Sequence, residues 1–165
     1  MAAMIRAFAT LLVFAAVFAG PAAAQAPREN LPVPRFVSLR SEEVNLRTGP
    51  GVRYPVEWVF VRRQMPVEIL QEFETWRRIR DRDGTEGWVH QSMLTGRRSA
   101  VVEGEMRNLR RRPETDAPVV ARVEPGVIAA ILECRDAWCR LETAGFRGWV
   151  QRGEIWGVYP NEAIK

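Results

Sequence analysis

The sequence predicts an all-β chain that contains two copies of one small domain. Three motifs occur twice. They are Asn-Leu-Arg at positions 45 and 108, Ile-Leu followed by tryptophan at 69 and 131, and Gly-Trp-Val at 87 and 148, which gives separations of 63, 62 and 61 residues. No segment after residue 24 shows sustained 3.6-residue periodicity, and short apolar runs alternate with glycine- and proline-containing turns. A repeat of about 60 residues indicates duplication of a small domain rather than one larger fold.

The first 24 residues have the three parts of a secretory signal peptide. Arg6 supplies a basic start, residues 7–19 form an uncharged apolar run, and small residues follow Gly20-Pro21. The run is too short to span a bilayer, so we expect cleavage; the alternative is an uncleaved membrane anchor. We expect the cut after Ala24 rather than Ala26, because the second choice places Pro27 after the scissile bond. No cysteine lies near the cut, so the processed chain is expected to be periplasmic or secreted, without a lipid anchor or membrane span.

The first domain is predicted over residues 36–97, after a polar, proline-rich linker over 25–35. Its predicted elements are, in order, a strand over 36–46, a loop over 48–51, a short strand over 56–61, strands over 67–73 and 76–80, an Asp-Gly turn over 82–84, a strand from Gly87 and one helical turn over 91–94. Val56, Trp58 and Phe60 share one face of the short strand, and we expect Trp58 in the core.

The second domain is predicted over residues 98–160 and repeats this order. Its predicted strands cover 105–109, 119–123, 127–134, 138–143 and 148–151, and a last turn ends near Ile155. Five short strands in about 60 residues, separated by glycine and proline, predict a small and strongly bent barrel.

Several of these segments together resemble a known family. The first copy contains Asn-Leu-Arg-x-Gly-Pro-Gly-x-x-Tyr-Pro-Val from Asn45, followed by Pro-Val-Glu-Ile-Leu from Pro66, a Trp-x-x-Ile segment and Gly-Trp-Val. This order resembles the bacterial SH3-like (SH3b) domain. The second copy, with Cys-x-x-x-Trp-Cys-Arg-Leu from Cys134, resembles a cysteine-bearing variant of that group. The resemblance covers residues 36–157 and implies two tandem SH3-like β-barrels. The second copy lacks both glycines of the Gly-Pro-Gly loop, so we expect its loop to bend differently.

Two cysteines, Cys134 and Cys139, flank a four-residue turn in the second copy. In an oxidising compartment, a pair facing each other across a hairpin predicts a disulfide. One alternative is a redox pair, which is more often Cys-x-x-Cys. The other is a zinc site, for which two cysteines and one distant histidine supply too few ligands.

The composition argues against catalysis and against nucleic-acid binding. His90 is the only histidine, and the sequence has neither a nucleophile-elbow motif nor a phosphate-binding loop, so we expect no catalytic site, metal or cofactor. Residues 36–97 carry ten arginines and nine acids, as do residues 98–160. Each domain is therefore nearly neutral and lacks the clustered basic face that nucleic-acid binding requires.

Strand alternation places four tryptophans off the barrel cores. Each tryptophan precedes an aliphatic residue by one or three positions. Two strand residues separated by an odd number of positions have side chains on opposite faces. The aliphatic partners are Ile79, Val89, Leu141 and Val150. The candidate ligand-binding residues are Trp76, Trp88, Trp138 and Trp149, with Tyr54 and Arg47 beside the Gly-Pro-Gly loop. The alternative is structural packing, in which these tryptophans are covered within a sharply bent barrel or between the domains.

These features favour a non-catalytic cell-envelope module that binds peptidoglycan or its stem peptides through the tryptophan faces. Large aromatic side chains offer contact area with little loss of conformational entropy, and two weak sites in tandem gain avidity on a polymer. The alternative function is a periplasmic adaptor whose groove takes an extended or proline-rich segment of an envelope protein.

Overall fold

Fourteen short strands arrange the chain into two seven-stranded sheets, one for each copy. The computed structural model describes residues 31–165, so the predicted signal peptide and most of the linker lie outside the described residues. The strands of the first sheet are β1 Arg35–Leu39, β2 Val44–Arg47, β3 Val56–Phe60, β4 Pro66–Phe73, β5 Trp76–Arg80, β6 Glu86–His90 and β7 Leu94–Thr95. Those of the second are β8 Ser99–Val102, β9 Arg107–Arg110, β10 Val119–Val123, β11 Ile128–Arg135, β12 Trp138–Thr143, β13 Phe146–Gln151 and β14 Ile155–Trp156.

Both sheets have the same strand order. It is β3-β2-β6-β5-β4-β1-β7 in the first domain and β10-β9-β13-β12-β11-β8-β14 in the second. A single 3₁₀ turn precedes the last strand of each, over Gln91–Met93 and Arg152–Glu154. The predicted all-β fold with two tandem domains is confirmed, although each sheet stays open, with β3 and β10 at free edges. The strand expected over 36–46 is interrupted, because the polar residues 40–43 turn the chain between β1 and β2.

Each domain has its own apolar core on the inner face of its sheet. Leu39, Leu46 and Val67 belong to the first core, and Val102 and Leu109 to the second. The four aliphatic partners of the tryptophans, Ile79, Val89, Leu141 and Val150, are completely buried in these cores, as strand alternation predicts.

Trp58 does not lie in the core, so that prediction is wrong. Its side chain is 55% exposed, although it pairs with the buried Leu46 on β2. β3 is an edge strand, and its register with β2 shifts between Leu46 and Arg47. Such a bulge at an edge turns side chains away from the positions that simple alternation predicts.

The two domains meet in one compact unit that runs from Pro32 to Lys165. Ser99 at the start of β8 donates a hydrogen bond to the Gln64 carbonyl at 2.6 Å, and its hydroxyl lies 2.5 Å from that of Ser38 on β1. Gly157 also lies at this junction, where a Cβ would come within 2.5 Å of the Ser99 carbonyl oxygen. The contact is therefore tight and partly polar.

An aromatic cluster from the C-terminal segment covers the same junction. Phe36 packs against Trp156 and Tyr159, at ring-centroid distances of 4.9 and 4.8 Å. The Tyr159 hydroxyl donates to Glu68 at 2.7 Å. Burial and this hydrogen bond raise the pKa of Tyr159, so the hydroxyl keeps its proton and this hydrogen bond further into the alkaline range than an exposed tyrosine would. The tryptophan at the junction is thus Trp156, and not one of the four candidates.

Candidate functional site

The outer surface of the first sheet brings two rows of candidate side chains together. In one row, Arg47 on β2 and Arg78 on β5 lie directly across from Trp88 on β6. Residues that pair directly in an antiparallel sheet share a face and contact each other. Arg78 also forms an ion pair with Glu86 at 2.8 Å.

The second row is aromatic. Trp76 pairs with Phe73 across the β4–β5 hairpin and with His90 on β6, where the Trp76 and His90 rings meet edge to face at 5.5 Å. His90 is fixed by a 2.7 Å hydrogen bond between Nδ1 and the Ser92 hydroxyl. We call the surface formed by both rows the first outer face. It consists of Arg47, Phe73, Trp76, Arg78, Trp88 and His90.

Sequence reasoning omitted Phe73, Arg78 and His90 from this face. Phe73 had an available signal, because it and Trp76 flank the two-residue turn Glu74-Thr75 and therefore have to face each other. Arg78 and His90 join the face through their pairing with β6 and β5, which depends on the register between strands.

Arg47 and Tyr54 hold the Gly-Pro-Gly loop against the sheet. The Arg47 Nη1 atom donates to the carbonyls of Tyr54 at 2.7 Å and Val52 at 3.2 Å. The Tyr54 ring lies on Gly49, where a Cβ would come within 2.5 Å of the ring. Both side chains thus have structural partners, and their contact with a ligand remains a prediction.

The corresponding loop of the second domain keeps the same backbone hydrogen bonds, so the prediction of a different bend is wrong. Arg110 donates to the Ala117 carbonyl at 2.8 Å, as Arg47 does to Tyr54. The backbone N–H of Arg111 reaches the Pro118 carbonyl at 2.9 Å, and Thr48 reaches Pro55 in the same way at 3.1 Å. Arg112 replaces Gly49 without a clash because Ala117 replaces Tyr54.

Trp138 lines a pocket of about 210 Å³ on the second domain. It pairs with Gln151 on β13, just as Trp76 pairs with His90 in the first domain. The other lining residues are Glu105, Met106, Arg107, Asn108, Arg110, Thr115 and Glu154. The pocket therefore combines one indole wall with amide, cationic and anionic groups.

Trp149 is much less accessible than its counterpart Trp88. It is 5% exposed, and the Arg135 guanidinium lies 4.6 Å above its ring. Arg135 stands at the position of Phe73, since each precedes the turn of its hairpin and pairs with a tryptophan. Of the four candidate tryptophans, Trp76, Trp88 and Trp138 are partly exposed and Trp149 is covered.

Close approach of strands explains the glycine of each Gly-Trp-Val motif. A Cβ on Gly87 would lie 2.6 Å from the Leu46 side chain and 2.9 Å from the Arg47 carbonyl oxygen. A Cβ on Gly148 would lie 2.7 Å from Cβ of Leu109. The glycine thus lets β6 cross β2, and β13 cross β9, which brings the next tryptophan beside the Arg47 or Arg110 strand.

The predicted disulfide is confirmed. Cys134 and Cys139 face each other on β11 and β12, their Cα atoms are 4.1 Å apart, and both are buried in the second core. In the first domain, Glu72 and Arg77 occupy the positions that Cys134 and Cys139 occupy in the second, and they form an ion pair at 3.0 Å.

Within residues 31–165, no group of three or more His, Cys, Asp and Glu side chains is arranged to hold a metal. That part of the chain also has no helix long and apolar enough to cross a membrane.

The chain is similar in part to three known proteins. The chain is 24% identical over 132 residues to the putative N-acetylmuramoyl-L-alanine amidase YrvJ of Bacillus subtilis (strain 168), which covers 69% of this chain and 25% of that protein. It is similar to the structures of NlpC2 and NlpC1 from Trichomonas vaginalis, each with 14% identity and a TM-score of 0.35. These matches cover 74% and 77% of this chain and 47% of each structure. The chain thus spans a quarter of the amidase and about half of the two structures.

A family model described as the bacterial SH3 domain matches the chain twice, over residues 40–96 and 103–157. Each match covers six of the seven strands of one sheet, all but β1 in the first and β8 in the second. The domain type that both matches identify is non-catalytic. Together they account for most of the residues described above. The chain therefore belongs to the bacterial SH3 domain family, of which it carries two tandem copies.

Proposed function

We propose that this chain is a non-catalytic module of the bacterial cell envelope that binds peptidoglycan or its stem peptides. The family assignment and the similarity to a protein named as an N-acetylmuramoyl-L-alanine amidase support a cell-wall role. The predicted signal peptide supports a location outside the cytoplasm. The chain itself supplies binding surfaces rather than a catalytic group, and it acts as a non-enzymatic partner of the wall polymer.

The first outer face is the observation that carries this proposal. Phe73, Trp76 and Trp88 give flat apolar surfaces on which a sugar ring or a peptide side chain can stack. Arg47 and Arg78 pair with Trp88 from the two neighbouring strands. Arg47 donates through Nη1 to loop carbonyls and Arg78 through Nη2 to Glu86, so a stem-peptide carboxylate would bind through the other N–H groups of these guanidiniums. Aromatic and arginine side chains in contact are the composition typical of binding hot spots.

The Trp138 pocket is proposed as a second, weaker site. It is more polar than the first outer face, and Arg107 and Arg110 lie in its wall together with Glu105 and Glu154. A polymer with repeated sugar and peptide units can occupy both domains at once. Binding at two tandem sites raises the overall affinity above that of either domain alone.

The proposal is tested by co-sedimentation of the processed chain with purified peptidoglycan sacculi. We expect Trp88→Ala or Trp76→Ala to weaken binding at least tenfold, since truncating a hot-spot aromatic costs about 2 kcal/mol or more and a tenfold loss is about 1.4 kcal/mol. Trp138→Ala is expected to give a smaller loss, and Trp149→Ala the smallest because Arg135 covers that ring. Phe146→Ala is the matched control, because Phe146 is an exposed aromatic in the β12–β13 hairpin and belongs to neither site.

Each variant has to keep the β-sheet circular dichroism of the parent chain. Failure of the parent chain to sediment with sacculi would reject wall binding. Equal losses in Phe146→Ala and Trp88→Ala would reject the first outer face as the site, even if the chain binds sacculi.

A further inference from the structure

The β3 edge of the first domain exposes an apolar surface that the proposed wall-binding function does not use. Val56, Trp58 and Val59 lie on this strand and Val61 directly follows it; all four are exposed, Trp58 by 55% and Val61 by 73%. Within residues 31–165, β3 pairs with β2 on one side and has no strand on the other. Long apolar edge strands are normally blunted in soluble proteins, because their unpaired backbone groups attract other chains.

A groove between the two domains continues this surface. It has a volume of about 280 Å³, with apolar walls that come from both domains. Trp58, Val61 and Met65 contribute from the first domain, and Val101 and Ile128 from the second. The groove exists only while the domains stay packed together, since neither domain supplies both walls.

The second domain shows that the fold does not require an apolar edge. Its edge strand β10 carries Ala121 and Arg122 at the positions of Trp58 and Val59. Ala121 packs partly against the second core, and Arg122 places a charge in solvent. A small residue and an exposed charge are the usual protection of an edge strand. β3 has one exposed charge, Glu57, but it carries the apolar Trp58 and Val59 at two positions that line the groove.

We propose that the β3 edge and the groove bind a short, extended, apolar peptide segment of a partner protein, which adds as a strand beside β3. One large apolar side chain of the segment would enter between Trp58, Met65 and Ile128. Strand addition of this kind gives affinity through backbone hydrogen bonds and specificity through alternate side chains.

The size and charge of the surface select this occupant. The exposed apolar surface is on the order of a few hundred Å². That is below the roughly 800 Å² per partner that a stable folded dimer needs, so a short segment fits better than a second copy of the chain. Arg82 pairs with Asp83 at the groove rim, and Arg62 donates to the Gly126 carbonyl across the junction at 3.3 Å. These charges are already engaged, so the centre of the bound segment is expected to be uncharged.

The test uses the processed full chain and a phage-displayed library of random dodecapeptides. We expect enrichment of peptides with alternating apolar residues and no charge at the centre. The most enriched peptide is then synthesised and titrated into the protein, and its binding is followed by NMR. The double variant Trp58→Ala, Val59→Arg introduces the two residues that β10 carries at these positions. Because the second domain folds with them, we expect the first domain to fold with them too. We expect it to weaken peptide binding at least tenfold, whereas Trp76→Ala, which alters the first outer face, leaves peptide binding unchanged.

Sedimentation with sacculi separates this proposal from wall binding, because the β3 variant is expected to pellet like the parent chain. Four results would overturn the inference. The first three are no enrichment of apolar peptides, full binding by the β3 variant, and a concentration-dependent dimer that the β3 variant abolishes. Such a dimer would identify a second copy as the occupant. Protection of the Trp58 indole in the isolated monomer would instead assign the groove to the chain's own residues before Leu31, and would also overturn it.

Discussion

On the β4–β5 hairpin of the first domain, Glu72 faces Arg77 and forms an ion pair, whereas the same two positions of the second domain hold the Cys134–Cys139 disulfide. Arg35 from β1 also reaches Glu72, and Gln91 accepts a 3.0 Å hydrogen bond from Arg77. In the second domain, the backbone of Ile164 pairs with Cys134. Both duplicates therefore link these strands at one point, and the link can be ionic or covalent as long as its surroundings change with it.

The comparison extends to the loop after β2 and to the outer tryptophans. Gly49 with Tyr54 gives way to Arg112 with Ala117, while the backbone hydrogen bonds of the loop are retained. Trp88 lies partly open, and Trp149 is covered by Arg135. The backbone frame is common to both domains, and the exposed chemistry is what differs. We therefore expect the domains to differ more in binding than in fold.

The largest expected effect comes from removing the strand link of each domain. Cys134→Ser with Cys139→Ser should lower the free energy of unfolding by about 2 kcal/mol, because the unfolded chain regains the entropy of a short loop. Glu72→Gln with Arg77→Gln should cost about 1 kcal/mol, since a partly exposed ion pair contributes less. Urea unfolding measures both losses.

A reducing agent is the control for this pair of variants. It should reproduce the loss in the parent chain and leave the cysteine-free variant unchanged. Equal losses from the two double variants would contradict the difference between a covalent and an ionic link. Sedimentation with sacculi should persist without the disulfide, and its complete loss would show that the bridge supports binding directly.

A smaller effect is expected in the loop after β2. Gly49→Ala should lower the free energy of unfolding by about 1.5 kcal/mol, because the new Cβ overlaps the Tyr54 ring. In Gly49→Ala with Tyr54→Ala, the loss should be smaller than the sum of the two single losses, since the clash disappears with the ring. A double-mutant cycle by urea unfolding measures this coupling. Additive losses would show that the glycine is needed for a reason other than the ring.

The smallest effect on stability is expected from removing Arg135, whose guanidinium covers the Trp149 ring. Arg135→Ala should cost about 0.5 kcal/mol of stability, as an exposed cation–π contact is weak. The same change should make Trp149 more accessible to acrylamide, which tryptophan fluorescence detects against Trp149→Phe as a background. Phe73→Arg is the reciprocal change in the first domain and should reduce the accessibility of the first outer face. Unchanged quenching in Arg135→Ala would contradict the cover.

The repeated motifs predicted the duplication, strand alternation predicted which side chains are buried, and the resemblance to the SH3-like family predicted the type of fold. Buried Ile79 and Leu141 lie where odd spacings from tryptophan place them, because a strand has a strict two-residue period. The position of Trp58 could not be predicted in this way. Its exposure depends on β3 being an edge with a bulge, and strand order is set by contacts between residues that are distant in sequence.

The sequence predicted three of the six residues of the first outer face, namely Arg47, Trp76 and Trp88. Trp76 and Trp88 follow from local alternation, but their neighbours Arg78 and His90 depend on register between strands. The cover of Trp149 by Arg135 depends on how one long side chain packs, for which a single sequence has no periodic signal. The junction is likewise hidden, since Phe36 and Trp156 meet from opposite ends of the described chain.

The Tyr54–Gly49 contact also constrains the order in which the two duplicates diverged. A bulky side chain at position 49 clashes with the tyrosine ring, whichever pair the ancestral domain carried. If the ancestral loop carried Gly and Tyr, the tyrosine had to be replaced before arginine could take the place of the glycine. If it carried Arg and Ala, the arginine had to be replaced by glycine before the alanine could become tyrosine. Both histories pass through the same intermediate, a loop with glycine and no tyrosine. Family members with that combination should therefore exist, and those with both bulky residues should be rare.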